Sequence, residues 1–477
     1  MKKKFYSKVA LLLAAAMLFA TAGCNGAQSS SSEISADGNQ QGEVASTGDN
    51  TTLIGGDITP SGSTSGAAST GGGKVKTPSS SEFPASIKGK TIEVFNWNPP
   101  TEYTELPSLI SAFEKASGCK IKWTISAYSD YNVELAARVA ANNSPDVLRF
   151  ICANVAELEL AQPLSNSGYN FSGSEWDHTL MDYYTVNGKC YATNTANSLM
   201  VSPYLIAYNK DLVGRYDFED PYTLWKNGKW TMEKLIEMSK EFYKITGTPG
   251  CHVYKYDSYL LHCGYSGIMS YKNGRYSSNM SDKKCLSIWQ KMYNWYNTDG
   301  VFYNKSWDSE GFQSGKYLFM EVMAIHLRTS NPFYSDLIST GAMGVVPWPK
   351  PLSADSTTDY TAIGEYEAYG IAKGAKNAAA VPYYLAYVLN SDNLGNKNGY
   401  FYSNEALKVY ESVMSNKNRI QHTRYPDGQM DSCATIDPIY YGVGAQTPSQ
   451  LSSFVSSNKA KVENFVNGLN KRLSVMN

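Results

Sequence analysis

The segment running from Thr91-Ile-Glu-Val-Phe-Asn96 to Pro145-Asp-Val-Leu-Arg-Phe150 decides the fold class. Its first piece alternates apolar and polar side chains, the period of a strand. A helix follows, with Leu106, Leu109, Ile110 and Phe113 on one face and Gly118 as its stop. Ile121-Lys-Trp-Thr-Ile125 reads as a second strand, Val133 to Ala141 as a second helix and Pro145 to Phe150 as a third strand. Strands alternating with helices of this length predict a parallel α/β sheet with crossovers. In such sheets ligands sit beyond the carboxyl ends of the strands. Three loops therefore point to one place: Trp97-Asn98, Ala127-Tyr128-Ser129, and Phe150 to Asn154.

Downstream, Ser198 to Asn209 is a long extended segment, after which the periodicity becomes helical. Thr231 is a good N-cap for a helix carrying Leu235, Ile236, Met238 and Phe242. A helix beginning near Ser281 is expected to turn Leu286, Trp289, Tyr293 and Tyr296 inward. Leu318 to Ala324, Gly344 to Pro347 and Tyr369 to Ala372 read as strands. Helices close the chain near Ala378 to Leu389 and near Val462 to Leu473.

Upstream, lysines 2 to 4 precede an apolar run from Val9 to Ala20 and the sequence Thr21-Ala22-Gly23-Cys24. A charged start, a short apolar core and small residues describe an export signal, too short to remain as a membrane span. It resembles a bacterial lipoprotein signal, which implies residues 1–23 removed and Cys24 lipidated. Residues 24–88 are rich in Ser, Gly and Thr, and cannot bury enough apolar surface to offset chain entropy. They are expected to form a disordered tether with a root-mean-square reach of roughly 40 to 45 Å. The protein is expected to work outside the cell, on the outer face of the cytoplasmic membrane.

About 390 residues remain, enough for two lobes. Only 18% of the chain is charged and the formal net charge is −1, so no basic surface argues for nucleic acid. Aromatics make up 13%, mostly tyrosine, which suits an uncharged polar ligand. Eight cysteines include Cys24; none lies in a CxxC spacing, and free buried thiols are expected of the remainder, although Cys251 and Cys263 bracket one loop.

Ser144-Pro-Asp146-Val, Tyr208-Asn-Lys-Asp-Leu212, Trp230-Thr-Met-Glu-Lys-Leu235 and Gly370-Ile-Ala-Lys-Gly-Ala-Lys-Asn377 follow the strand-helix-strand opening in order. Together they resemble the family 1 extracellular solute-binding proteins of ABC importers, over roughly residues 89–400. The resemblance implies an α/β, two-lobed periplasmic-binding-protein-like fold (type II-like), its lobes joined by hinge crossovers. It places lobe one at 89–203 and 326–373, lobe two at 204–325 and 374–477, and hinges at 201–205, 324–327 and 369–373. It further implies a monomer that captures a small solute, in the first place an oligosaccharide, and delivers it to ABC permease subunits.

No GxSxG, HExxH, Walker or dinucleotide glycine motif occurs, and the five histidines lack metal spacing, so neither an enzyme, a cofactor nor a metal is expected. Paired acids such as Asp308 with Glu310 keep a glycoside hydrolase as the least favoured alternative. Tyr440-Tyr441 supports a ferric-binding alternative through phenolate ligands. A surface glycan adhesin or sensor is the third. Sugars offer an apolar C–H face and a hydroxyl rim, which aromatic platforms and polar side chains match. On the cleft loops that the resemblance implies, the ligand-binding candidates are Trp97, Asn98, Tyr128, Phe150 and Asn154 in lobe one. Arg328, Glu365 and Tyr366 join them from the returning crossover, and Tyr256, Asp257, Tyr259 and Trp307 from lobe two. Trp230, at a helix start, is expected to be packing.

Overall fold

The alternation along Thr91–Asn96 divides its side chains between two layers. Ile92 and Val94 join Leu109, Phe113 and Val381 in one cluster, while Phe95 joins Tyr131, Leu135 and Phe150 in another. The computed structural model that shows this describes residues 75–102, 105–151, 155–199, 201, 203–253, 267–303, 308–328, 334–350, 352, 361–363, 367–395, 400–417, 419–421 and 436–476. In chain order the strands of its two main sheets are β1 (Thr91–Asn96), β2 (Lys120–Ile125), β3 (Val147–Ile151), β4 (Ala161–Gln162), β5 (Ala192–Thr193), β6 (Tyr204–Asn209), β7 (Cys251–His252), β8 (Phe302–Tyr303), β9 (Phe319–Met323), β10 (Met343–Pro347) and β11 (Glu367–Ala372).

The first sheet runs β2-β1-β3-β11-β4, with β5 also pairing with β11. β1 is parallel to β2 and β3, as the sequence predicts, but β11 returns antiparallel to β3, so the sheet is mixed. The second sheet runs β8-β7-β9-β6-β10. There β7, β8 and β9 are mutually parallel, and β6 lies antiparallel to both β9 and β10.

Helices α1 (Leu106–Ser117) and α2 (Tyr131–Ala140) complete the opening of the first lobe. α1 stops at Gly118, whose φ of 72° lets the chain turn left without a Cβ clash. In the second lobe Thr231 caps α3 (Met232–Thr246) by accepting from the Lys234 backbone N–H. Trp230 is packing, as expected: its indole is buried and donates to the Pro347 carbonyl at 2.8 Å. Asp282, not Ser281, caps α4 (Lys283–Asn297), and its buried stripe is Cys285, Ile288, Trp289, Met292 and Trp295. Of the residues expected inward only Trp289 is fully buried; Leu286, Tyr293 and Tyr296 lie at the margin of the stripe, because the helix turns the neighbouring face towards the core.

Three expectations about organisation are corrected. Residues 343–350 do not return to lobe one. β10 pairs along its whole length with β6, and Lys350 bridges to Thr231, so this stretch belongs with the second sheet. Tyr369–Ala372 is not a hinge but part of β11, inside the first sheet. Beyond it, α5 (Val381–Val388) packs on α1, with Tyr384 5.6 Å from Phe113, so the second lobe does not begin at 374. The physical reason is that a short apolar run can be buried against more than one partner, and only the strand or helix that it meets in the fold decides.

The tether also ends earlier than residue 88. Val75 and Phe83 pack against the first lobe, Ile87 is buried, and Phe83 meets Phe113 edge-on at 5.3 Å. The backbone of Lys76 is tied to that lobe at both polar groups, donating to Asn393 O and accepting from the Tyr387 hydroxyl. The expected hinge around Ala324 lies between two strands of the second sheet and so is not a crossover; its Ala324 N donates at 2.9 Å to O of Pro203, in the segment that leads from the first sheet into β6. Cys119, Cys190, Cys251 and Cys285 carry free thiols. Among the described residues, no helix is long and apolar enough to cross a membrane.

Candidate functional site

β1 ends on Asn96, a buried polar side chain whose Oδ1 accepts from the backbone N–H of Trp97 at 2.8 Å and of Asn98 at 3.3 Å. This turn, built on a side chain rather than on a ladder, stops the strand at its carboxyl end. From β3 beside it, Arg149 Nη1 donates to the same oxygen at 3.2 Å. The Arg149 guanidinium carbon then lies 4.0 Å from the centre of the half-buried Trp97 ring. From β2, the Trp123 indole N–H donates to Asn98 O at 2.9 Å, tying the loop to the edge strand.

Two tyrosines complete the corner. Tyr131 meets Trp97 at 4.9 Å and 86°, and stacks on Phe95 at 4.9 Å and 22°. Its hydroxyl bridges β3 by donating to Arg149 O and accepting from Arg149 N, both at 2.9 Å. Burial pushes this phenol well above its ordinary value, so it stays a neutral donor. Tyr128 meets the Trp97 ring at 5.7 Å and 79° and is itself half-buried. Beside the loop, Ile125 at the end of the edge strand is 52% exposed. The arrangement offers a fixed, partly open aromatic surface next to a held cation and amide.

Of the sequence candidates, Trp97, Asn98 and Tyr128 are thus brought together. Phe150 is corrected: it is fully buried, 5.2 Å from Tyr184, in the core between the sheet and its neighbours. Gly370 on β11 makes the room, since a Cβ there would lie 2.5 Å from the Phe150 ring. Arg328 is likewise enclosed, with its guanidinium 5.0 Å over the Tyr400 ring and its backbone bridged to Phe401. Cys24, Asn154, Tyr256, Asp257, Tyr259, Trp307, Glu365 and Tyr366 lie outside the described residues.

Sequence reasoning missed Asn96, Trp123, Tyr131 and Arg149. For Arg149 a signal existed: an arginine between Leu148 and Phe150 in an apolar strand is a charge that must be held by partners. Among the described residues, no group of three or more His, Cys, Asp or Glu could hold a metal ion, and Tyr440 is fully buried. Asp308 caps a short helix at Gly311 N and also accepts from Lys316 and Tyr317. Burial opposes its ionisation, but those three bonds hold it down at about 2, the reverse of what a glycosidase acid needs.

Known structures share this architecture. The GacH receptor of Streptomyces glaucescens, solved unliganded and with acarbose, superposes with a TM-score of 0.56 at 17% identity, over 81% of this chain and 99% of its own. The substrate-binding protein Lmo0181 of Listeria monocytogenes, in complex with cycloalternan, gives 0.55 at 14% identity, over 81% and 100%. Maltose-bound MalE3 of T. maritima gives 0.54 at 16%, over 78% and 99%. At these identities the likeness establishes the two-lobed fold. No curated protein matches the sequence. A family profile described as bacterial extracellular solute-binding protein matches residues 108–397, more than half of the chain. With that match and this fold together, the chain belongs to the bacterial extracellular solute-binding proteins.

Proposed function

We propose that this protein captures a neutral carbohydrate, of oligosaccharide size, in the cleft between its lobes and delivers it to an ABC importer without chemical turnover. In this reading it is a monomer held on the outer face of the membrane by a lipid on Cys24. The observation that carries the ligand class is the half-buried Trp97, fixed at the carboxyl end of β1 with Arg149 on its ring and Tyr128 at its edge. An aromatic face immobilised before binding stacks on sugar C–H groups at low entropic cost. Structural neighbours whose bound ligands are acarbose, cycloalternan and maltose support the same class. Closure is driven by contacts both lobes make only when shut, so ligand shifts a population between open and closed forms.

A thermal-shift panel of neutral oligosaccharides, repeated with ferric ion and with peptides, tests the reading. Stabilisation by at least one saccharide, with a dissociation constant near micromolar (about −8 kcal/mol), is expected. Stabilisation by iron or peptide alone would replace the reading. Recovery of an intact peptide spanning Gly23 and Cys24 from mature protein would remove the lipid anchor from it.

A further inference from the structure

The second lobe holds a side-chain cluster that the Trp97 corner does not use. Strands β7, β8 and β9 are parallel and so share a carboxyl edge. That is the edge where Met323, closing β9, pairs with Tyr204, and where the chain arriving from the first sheet through Pro203 enters β6. Tyr303 is the last residue of β8 and is half-buried, whereas His252 and Tyr317 beside it are fully buried. Its ring lies 5.3 Å from Tyr317 at an interplanar angle of 32° and 5.4 Å from His252. The Lys316 ammonium sits 5.2 Å from the Tyr303 ring centre and 5.0 Å from that of Tyr317.

Lys316 is itself pinned. Its Nζ is 2.9 Å from Asp308 Oδ2, which also accepts from the Tyr317 hydroxyl at 2.8 Å, while Oδ1 accepts from Gly311 N. Asp308 is held ionised by these donors down to a pH of about 2, so the lysine keeps its partner at any working pH. The build repeats that of lobe one. There, too, a half-buried aromatic stands at the carboxyl end of a parallel strand, with a cation at its ring that a polar side chain of the same lobe holds in place. Two rings immobilised in this way on different scaffolds share one physical consequence: neither has to be ordered when a ligand stacks on it.

We propose that Tyr303 is the stacking platform of the second lobe for the ring face of the saccharide, and that Lys316 and Asp308 are the positioning residues that hold it. This rests on the carbohydrate reading above. The side chains of the second-lobe candidates Tyr256, Tyr259 and Trp307 are not needed for it.

The test uses the full-length protein and calorimetry with maltotetraose, mannotriose, xylotriose and lacto-N-biose, taking forward whichever binds the unaltered chain most tightly. Tyr303→Leu keeps bulk and loses the aromatic face, and should weaken binding about tenfold or more. Tyr303→Phe should stay within about threefold, and Lys316→Met should weaken binding by about three- to tenfold, because the ring is less well held. A Leu variant within about twofold of the unaltered protein, or a Phe variant that loses as much as Leu, overturns the proposal while leaving the carbohydrate reading intact. If none of the four binds the unaltered protein, the tightest saccharide of the thermal-shift panel takes their place, and a panel in which no saccharide binds overturns both readings. Should the Leu variant not fold, the Tyr303 ring resonance, assigned by its absence in the Phe variant, is followed in the unaltered protein. It should shift on saturation with the sugar, and a resonance that does not move overturns the proposal.

Discussion

The guanidinium carbon of Arg149 stands 4.0 Å from the centre of the Trp97 ring, and the same guanidinium donates to Asn96 Oδ1 at 3.2 Å. One buried cation thereby fixes both the end of a strand and the ring that projects from it. Arginine suits this position because its planar fork can stack and hydrogen-bond at once.

Replacing Trp97 by Ala should weaken binding of a neutral oligosaccharide by roughly 1.5 to 3 kcal/mol, because stacking area is lost, while Trp97→Phe should recover part of it. Calorimetry on both variants measures this. If Trp97→Ala instead lowers the melting temperature sharply and keeps its affinity, Trp97 is a core residue.

Gly370→Ala should destabilise the fold by about 2 to 3 kcal/mol, the range of an overpacked core. The new Cβ would meet the Phe150 ring at 2.5 Å and the Tyr191 carbonyl at 2.6 Å, and a backbone atom cannot swing aside. Removing the ring it would strike, by Phe150→Ala, should cost about 3 to 5 kcal/mol by cavity formation. Urea denaturation of the two variants decides whether Phe150 is core.

Stability should fall between pH 6.5 and 4 through His326. Burial, and then the charge of Arg328, hold its imidazole down at about 4 against an ordinary 6.5. The unfolded chain takes up a proton where the folded chain does not. The contribution is therefore complete above pH 6.5 and lost as pH drops towards 4, by on the order of 3 kcal/mol. Urea midpoints of His326→Gln should show a shallower pH dependence in that window, and an unchanged slope would refute the assignment.

Trimming the chain to begin at Val75 should leave the melting temperature of the body unchanged, whereas trimming to Gly89 should lower stability by about 2 to 4 kcal/mol. The second cut removes Ile87 from the core, Phe83 from its contact with Phe113, and both backbone ties of Lys76. Equal melting temperatures for the two would show that residues 75–88 contribute nothing.

Much of the local structure is legible in the chain itself. The strand-helix order of residues 91–150, the stop at Gly118 and the cap at Thr231 depend on neighbours three or four positions away, which the sequence displays directly. The meeting of Trp97, Asn98 and Tyr128 is legible as well, because parallel strands deliver their carboxyl-end loops to one side.

What the sequence alone determined, then, was whatever short-range periodicity and capping encode. Tertiary structure decided which sheet receives Met343–Pro347, that Glu367–Ala372 is a central strand, that Phe150 is core, and that Arg149 stands at Trp97. It also decided that Val75, Phe83 and Ile87, sparse apolar residues at the end of a polar stretch, find partners on α1 and α5. An apolar or charged side chain states in the sequence that it needs a partner. Which partner it gets depends on residues far along the chain, brought within a few ångströms only when the sheets and helices close around a common core.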